Sequence, residues 1–263
     1  MEKITELGSY HDDQGNTITG NSVIEGKVNV IFKGRNNRLI LAQGAKVADL
    51  EARFDCDNGT LIIGANPKVG GIRMNIRVGQ DSVVTVGDNV STTSKCIISA
   101  VEGSKVTFGN DVMIASGNQF RADDAHPIFD VQSGQRVNPA TDIVVGNHVW
   151  IAAGAALLGG AEIGDGSVVG FRSLVTRKIP NNCIAVGTPA KVVRRNIAWE
   201  RPHLSNTKPY YKPDASSVKK TEDYWNLTEV EESEAPVVVP LTRAQIVKQR
   251  VAGTLRSLAD RLD

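Results

Sequence analysis

Aliphatic residues recur at every sixth position through the middle of the chain. These positions are Val145, Ile151, Leu157, Ile163, Val169 and Val175. An α-helix or a β-strand alone does not produce this interval, because their side-chain periods are about 3.6 and 2 residues. A parallel β-solenoid with three flat sides does, since each hexad supplies one short strand and one corner. The pattern therefore predicts an all-β solenoid in which three hexads make one coil around a triangular core.

The six-residue interval is less regular before this stretch and is interrupted once. From Ser22 to Ile114, short apolar runs alternate with Gly, Asn and Asp at shifting intervals, which predicts coils with bulged corners. The period returns at Phe108, Ile114 and Phe120. Residues 121–142 then contain two prolines, many polar residues and no hexad. An insertion between coils must leave the solenoid as a loop, and loops on rigid scaffolds often carry function.

The pattern divides the chain into four consecutive segments. The first is an irregular segment, residues 1–21. The second is the solenoid, residues 22–195, with its extruded loop at 121–142. The third is a predicted linker rich in Pro, Ser, Glu and Lys, residues 196–240. Residues 241–263 predict a helix. Thr242 and Gln245 fit a capping box, and an apolar stripe follows at Val247, Val251, Leu255, Leu258 and Leu262. This helix packs on its own solenoid or on a sister subunit.

Composition narrows the functional classes. The 30 basic and 29 acidic side chains are balanced, so charge gives no reason to expect a nucleic-acid partner. The three cysteines are odd in number and widely spaced, which argues against a disulfide framework and favours a reducing compartment. The first residues carry no apolar signal segment, and no run of about 20 apolar residues exists. We therefore expect a cytoplasmic protein without a membrane span.

His126 is the first candidate for chemistry. It lies in the predicted loop, after Asp123 and Asp124 and before Pro127. Imidazole titrates near neutral pH and is suited to act as a general base. The two carboxylates either orient its ring or are ordinary solvated charges. His148, at a hexad corner, is expected to face solvent.

Trp150 and a group of late cations are the other candidates. Trp150 precedes the inward-facing Ile151, so the alternation of side chains predicts that it points outward. An outward indole covers either a subunit contact or a ligand. Cations are concentrated at the end of the regular coils. They form either a solvated basic edge or a site for phosphate groups. They are Arg177, Lys178, Lys191, Arg194 and Arg195.

Three sequence stretches resemble a known family. They are IVVGNHVWIAAGAALLGGAEIGDGSVVGFRSLVTRKIPNNCIAVGTPAKVVRR at 143–195, DDAHPIFD at 123–130 and NPA at 138–140. They resemble the hexapeptide-repeat acyltransferases, and among these the sugar and polysaccharide O-acetyltransferase branch. The resemblance is strong over residues 106–200, weaker back to residue 22, and absent from 201–263.

The resemblance implies a left-handed parallel β-helix that forms a homotrimer, with acetyl-CoA lying in a groove between neighbouring subunits. It assigns the role of general base to His126 and places Trp150 beside the thioester. Other positions match residues that contact the coenzyme along the groove or at its pantetheine and phosphate ends. They are Ala153, Phe171, Thr176, Arg177, Lys191 and Arg194. Phe171 departs from the family, since most relatives have Ala there in a Gly-Ala-Gly-Ser run.

These observations predict an acetyl-CoA-dependent O-acetyltransferase that modifies a hydroxyl of a bacterial capsular or lipopolysaccharide glycan, or its precursor. We expect direct transfer in a ternary complex and no metal. One alternative is an N- or O-acetyltransferase of a small sugar or sugar nucleotide. Another is a zinc-dependent lyase resembling the carbonic anhydrases of this fold. Catalytic zinc needs three protein ligands, however, and the repeat region has only two histidines, His126 and His148. A non-catalytic scaffold is the third.

Overall fold

A computed structural model describes residues 3–206, 208, 210 and 221–229. The helix predicted over 241–263 lies outside these residues. The described chain forms a left-handed parallel β-helix, which confirms the predicted fold class. No helix among the described residues has the length and apolar character to cross a bilayer.

Twenty strands make up the described structure, joined near its end by a short 3₁₀ turn at Leu204–Asn206. The strands are β1 (Tyr10–His11), β2 (Thr17–Phe32), β3 (Arg38–Phe54), β4 (Thr60–Ile63), β5 (Ile72–Val78), β6 (Val83–Val86), β7 (Ser91–Thr92), β8 (Cys96–Ala100), β9 (Lys105–Phe108), β10 (Met113–Ile114), β11 (Gln119–Arg121), β12 (Ile143–Val145), β13 (Trp150–Ile151), β14 (Ala156–Leu158), β15 (Glu162–Ile163), β16 (Val168–Val169), β17 (Leu174–Val175), β18 (Lys178–Ile179), β19 (Ile184–Gly187) and β20 (Ala190–Arg194).

Strands of successive coils pair in parallel and form three sides. Side 1 contains β4, β6, β9, β12, β15 and β18; side 2 contains β7, β10, β13, β16 and β19; side 3 contains β5, β8, β11, β14 and β17. Each regular coil visits sides 1, 2 and 3 in that order. The corners are named here by the sides they join: corner 1/2, corner 2/3 and corner 3/1.

The length of a coil changes along the solenoid. Thr60 pairs with Val83 on side 1, so that coil takes 23 residues. Val144 pairs with Glu162, and this coil takes 18 residues, or three hexads. The longer early coils explain why the hexad interval shifts in the sequence before Ile114 while parallel stacking continues. The first coil also begins at Thr17, inside the segment predicted as irregular, because Ile18 is buried and pairs with Leu39.

The core is a continuous column of apolar side chains. All six hexad positions from Val145 to Val175 are at most 1% exposed, which confirms that the aliphatic residue of each hexad points inward. Near the extruded loop the column is widened by Phe108 and Phe120, whose rings meet edge to face at 4.7 Å. This rigid column fixes the spacing of the corners, where the candidate site residues lie.

The described part of the predicted linker packs on the solenoid. Residues 196–201, called the strap here, run along corner 1/2 towards the earlier coils. Ile197 donates its N–H to the carbonyl of Asn182 at 3.0 Å, and Trp199 donates its indole N–H to the carbonyl of His148 at 2.8 Å. Residues 221–229, called the outer segment, also contact this corner: the hydroxyl of Thr228 donates to the carbonyl of Asn182 at 3.1 Å.

Candidate functional site

The extruded loop leaves the solenoid at corner 3/1, between β11 and β12. Its base is tied down by Asp123, which is only 7% exposed. The carboxylate of Asp123 accepts hydrogen bonds from the hydroxyl of Ser99 at 2.5 Å and from the N–H of Ala125 at 3.0 Å. The guanidinium of Arg77 lies 4.0 Å away. A buried carboxylate with these partners anchors the loop, so Asp123 does not orient the His126 ring.

The backbone around His126 is held by Asn138, from the returning arm of the loop. The Asn138 side-chain amide donates to the carbonyl of His126 at 2.9 Å and to the carboxylate of Asp124 at 3.0 Å. Its oxygen accepts the N–H of Ile128 at 2.7 Å. Asp124 is thereby engaged with Asn138. Sequence reasoning missed this positioning role, and its one signal was the NPA stretch in the resemblance.

The imidazole of His126 is exposed to solvent. Among the described residues, neither of its ring nitrogens has a hydrogen-bond partner. The loop beyond it carries apolar side chains that are also exposed, and Val131 is 97% exposed. Its ring therefore remains available to a partner or substrate.

Thr176 shares this corner with the loop. A cavity of about 210 Å³ at the base of the loop is lined by residues that include Asp124, Asn138, Leu158 and Thr176. Thr176 and Arg177 follow β17, are exposed, and lie along corner 3/1 above the loop. These positions extend the His126 corner towards the end of the solenoid.

The remaining predicted site residues lie elsewhere on the triangle. Trp150 is 37% exposed on β13 and points outward from side 2, as the alternation predicts. Ala153 and Phe171 occupy corner 2/3 in two successive coils. The carbonyl of Ala153 accepts the N–H of Arg172 there at 2.9 Å. Phe171 is 66% exposed, with the Arg172 guanidinium 5.1 Å from its ring centroid.

Lys191 and Arg194 lie on β20, which pairs antiparallel with β19 at the end of side 2. Both are exposed, as is Arg177. Within the described chain none of these three cations has an ion-pair partner. Exposed, unpaired cations of this kind suit the phosphate groups of a nucleotide.

Two groups of candidate residues therefore exist in one chain. His126, Thr176 and Arg177 belong to corner 3/1, and the other five belong to side 2, its terminal strand or corner 2/3. Side 2 lies opposite corner 3/1 in the triangular cross-section. The hydrogen bonds that tie the loop to the solenoid reach Ser99 on side 3, Glu102 at corner 3/1, and Lys105 at the start of β9 on side 1, and none of these residues lies on side 2. One chain alone does not bring His126 to Trp150.

A second polar cluster occupies corner 1/2, around His148. The prediction that His148 faces solvent is wrong, because its ring is covered by the strap and the outer segment and the residue is only 5% exposed. The imidazole lies between the ring of Trp199, at 4.1 Å, and that of Tyr224, at 4.9 Å. Its backbone has a φ of 50°, a left-handed corner conformation that Asn89, Asp111 and Asn182 also adopt.

The hydrogen bonds of His148 determine its charge. Nδ1 lies 2.5 Å from the carboxylate of Asp111, and Nε2 lies 3.0 Å from the carbonyl of Trp199. A carboxylate and a carbonyl are both acceptors, so the protonated imidazolium is the form that satisfies both contacts. Burial alone would lower the pKa of His148, but these hydrogen bonds and the Asp111 charge outweigh it, so the pKa is raised.

Asp111 is shared between His148 and the strap. Burial would raise the pKa of Asp111, but hydrogen bonds from His148 and Arg201 and the charge of Arg201 lower it. Arg201 donates to the Asp111 carboxylate at 2.6 Å and to the hydroxyl of Ser91 at 2.9 Å. The cluster thus fastens the strap across two coils and leaves no ring nitrogen available for chemistry.

Among the described residues, no three His, Cys, Asp or Glu side chains come together in a way that could hold a metal ion. The expectation of a metal-free site stays a prediction, to be checked by metal analysis of the purified protein.

Comparison with known proteins gives consistent findings. The family profile "Bacterial transferase hexapeptide (six repeats)" matches residues 142–177. A polysialic acid O-acetyltransferase of Escherichia coli O1:K1 is 36% identical over 135 residues, covering 49% of this chain and 44% of that protein. A polysialic acid O-acetyltransferase of Neisseria meningitidis is 30% identical over 175 residues, covering 66% of this chain and 80% of the relative. The chain thus spans less than half the length of the first relative.

A solved structure agrees with these relatives. The crystal structure of the polySia specific acetyltransferase NeuO superposes with a TM-score of 0.63 at 33% sequence identity. The superposition covers 71% of this chain and 88% of that one. The similarity therefore extends well beyond the hexad region into the earlier coils.

Proposed function

We propose, because the chain belongs to the hexapeptide-repeat acetyltransferase family, that it transfers the acetyl group of acetyl-CoA to a hydroxyl of a bacterial surface glycan or its precursor. The relatives named as polysialic acid O-acetyltransferases support a polysaccharide acceptor. The observation that carries the proposal is the exposed imidazole of His126, held by its backbone on an anchored loop. A group so placed is able to reach a large acceptor.

In the proposed reaction His126 is the general base. Its unprotonated ring nitrogen removes the proton from the acceptor hydroxyl as that oxygen attacks the thioester carbonyl. General base catalysis of this kind contributes roughly 10²–10⁴-fold to the rate. The tetrahedral intermediate collapses with cleavage of the carbon–sulfur bond, and the imidazolium returns the proton to the departing thiolate. The acetyl group passes directly to the acceptor, so no nucleophilic side chain is needed.

The proposed active site is built between neighbouring subunits of a homotrimer. His126 and Trp150 occupy opposite parts of the triangular cross-section, so a site that uses both takes one from each of two chains. Three such sites form when three chains are related by a threefold axis. Val131 in the extruded loop is 97% exposed, as expected of an apolar surface that another chain covers.

The coenzyme contacts are assigned on the same basis. Trp150 walls the acetyl group, and Ala153 and Phe171 line the groove along corner 2/3. Lys191 and Arg194 from that chain, with Thr176 and Arg177 from the neighbour, contact the pantetheine and phosphates. Thr176 and the three cations are exposed, and the cations have no ion pair within the described chain, which supports this assignment.

The experiment is transfer of labelled acetyl groups. The purified protein is incubated with labelled acetyl-CoA and polysialic acid, lipopolysaccharide or a small sugar nucleotide, and the products are analysed by mass spectrometry. We expect one added acetyl group per modified glycan residue, attached through oxygen. Acetylation of the small sugar nucleotide alone would favour the alternative of a small-sugar acetyltransferase, and no transfer to any acceptor would contradict the proposal.

A further inference from the structure

A cavity of about 440 Å³ lies beside Trp150 on side 2, between the solenoid and the strap. Its lining includes Met113, Trp150, Trp199, Pro202 and Leu204. The rings of Trp150 and Trp199 are 6.0 Å apart and inclined at 45°, so they form two walls that meet at an angle. Neither the family motifs nor the predicted coenzyme contacts include Trp199, Pro202 or Leu204.

The position of this cavity relative to Trp150 is informative. Ala153 and Phe171, the proposed coenzyme contacts, lie at corner 2/3 on one side of the indole. The strap follows corner 1/2, so the cavity lies on the other side. Acyl transfer needs the two reacting atoms about 3–3.5 Å apart. An acceptor that approaches an acetyl group at Trp150 from the side away from the coenzyme enters this cavity.

The chemistry of the walls suits a sugar ring. Two indoles, a thioether and a leucine present apolar surface on which the C–H face of a pyranose packs. The polar residues in the lining are Glu200, Arg201 and His203. The Glu200 carboxylate is fixed by the N–H of Thr221 at 2.7 Å and the indole N–H of Trp225 at 3.2 Å. The volume falls within the range of about 300–1,000 Å³ that is typical of ligand pockets.

We propose that this cavity binds a sugar ring of the acceptor glycan, with Trp199 and Leu204 as residues that determine acceptor affinity. The inference rests on the proposed function and deepens it, because it assigns the acceptor to the strap side of Trp150. Trp199 also anchors the strap through His148, so the strap has a second role as one wall of the acceptor site.

The kinetic test uses Leu204→Asp, with Leu227→Asp as the matched control. Both leucines are exposed, at 60% and 78%, so neither change disturbs the core, but only Leu204 lines the cavity. With polysialic acid oligomers as acceptor, Leu204→Asp should raise KM for the acceptor on the order of tenfold while KM for acetyl-CoA stays within about twofold. Leu204→Met should restore the acceptor KM, and Leu227→Asp should leave both constants unchanged.

A binding test separates this inference from the proposed reaction. Saturation-transfer NMR is recorded without acetyl-CoA, using a sialic acid oligomer and, separately, maltotriose. We expect ring C–H protons of at least one oligomer to be saturated by the wild type and by Leu227→Asp, and this signal to be lost in Leu204→Asp. Binding of neither oligomer, or equal signals from both variants, would overturn the inference. Leu204-dependent binding without any acetyl transfer would instead contradict the proposed function alone.

Discussion

The corner that carries His126 and the corner that carries His148 differ in almost every physical respect. His126 is exposed on a loop held through its backbone, and its ring has no partner within the described chain. His148 is buried, stacked between two aromatic rings, and bonded at both ring nitrogens. A general base must be free to gain and lose a proton, whereas a structural cation must keep one. The comparison therefore indicates that only the first histidine is available for catalysis.

The largest expected effect comes from removing the proposed base. His126→Ala should lower kcat on the order of 10²-fold or more while leaving the melting temperature and the affinity for acetyl-CoA unchanged. The ring touches no hydrogen-bond partner in the described chain, so its loss has little structural cost. Steady-state kinetics of the variant measures kcat, and calorimetry measures its melting temperature and its affinity for acetyl-CoA.

The matched control is His11→Ala, which removes another exposed histidine, on β1. It should retain wild-type activity. Near-normal turnover of His126→Ala at saturating substrate would refute the assignment and remove the functional difference between the two corners.

The second prediction concerns how the two groups of site residues meet. Trp150→Ala should also impair transfer with little loss of stability, because the indole is 37% exposed. When His126→Ala and Trp150→Ala chains are co-expressed, mixed trimers should recover roughly a quarter of wild-type activity, since random assembly places the two intact residues together in about one interface of four.

Mass photometry should show assemblies of three chains of 28.2 kDa each. Mixed assemblies without any recovery, or a fully active monomer, would show that His126 and Trp150 act from the same chain. A large fall in the melting temperature of Trp150→Ala, at unchanged specific activity, would make that indole structural.

The third prediction is a pH dependence of the strap. The folded-state pKa of His148 is raised above its ordinary value of 6.5, so its contribution to stability is complete below about pH 6.5 and is lost as pH rises through the raised pKa. Asp111 has a lowered pKa, so its contribution is present above about pH 3.8 and is lost only as pH falls through the lowered value. The strap should therefore be most firmly bound in mildly acidic solution.

The indole N–H of Trp199 reports on this contact, because it donates to the carbonyl of His148. Its hydrogen exchange, corrected for the intrinsic pH dependence, should accelerate between pH 6 and pH 9 in the wild type. In His148→Phe, which keeps the stacking but does not titrate, the corrected rate should be higher at every pH and show no such rise. An equal rise in both proteins would mean that another group controls the strap.

The difference between the corners also shows which features of the structure can be predicted from the sequence. The hexad interval predicted the coils because inward-facing side chains repeat along the chain itself, and the break in that interval predicted the loop that carries His126. The environment of His148 depends on Trp199, 51 residues away, and no local pattern encodes that contact. The role of Asn138 was missed for the same reason, since its amide acts on backbone groups across the loop.

The smallest expected effect comes from removing residues 241–263. All eight proposed site residues lie before Arg195, and the strap and outer segment that cover His148 end at Glu229. The truncated protein should therefore keep both corners, bind acetyl-CoA, and acetylate a small acceptor at a near-normal rate. The apolar stripe from Val247 to Leu262 needs a packing partner if it forms a helix, because short helices are marginal alone. We accordingly expect any loss to appear in trimer stability, measured by mass photometry on dilution. A soluble trimer that binds acetyl-CoA but transfers nothing would show instead that the C-terminal segment contributes to the active site.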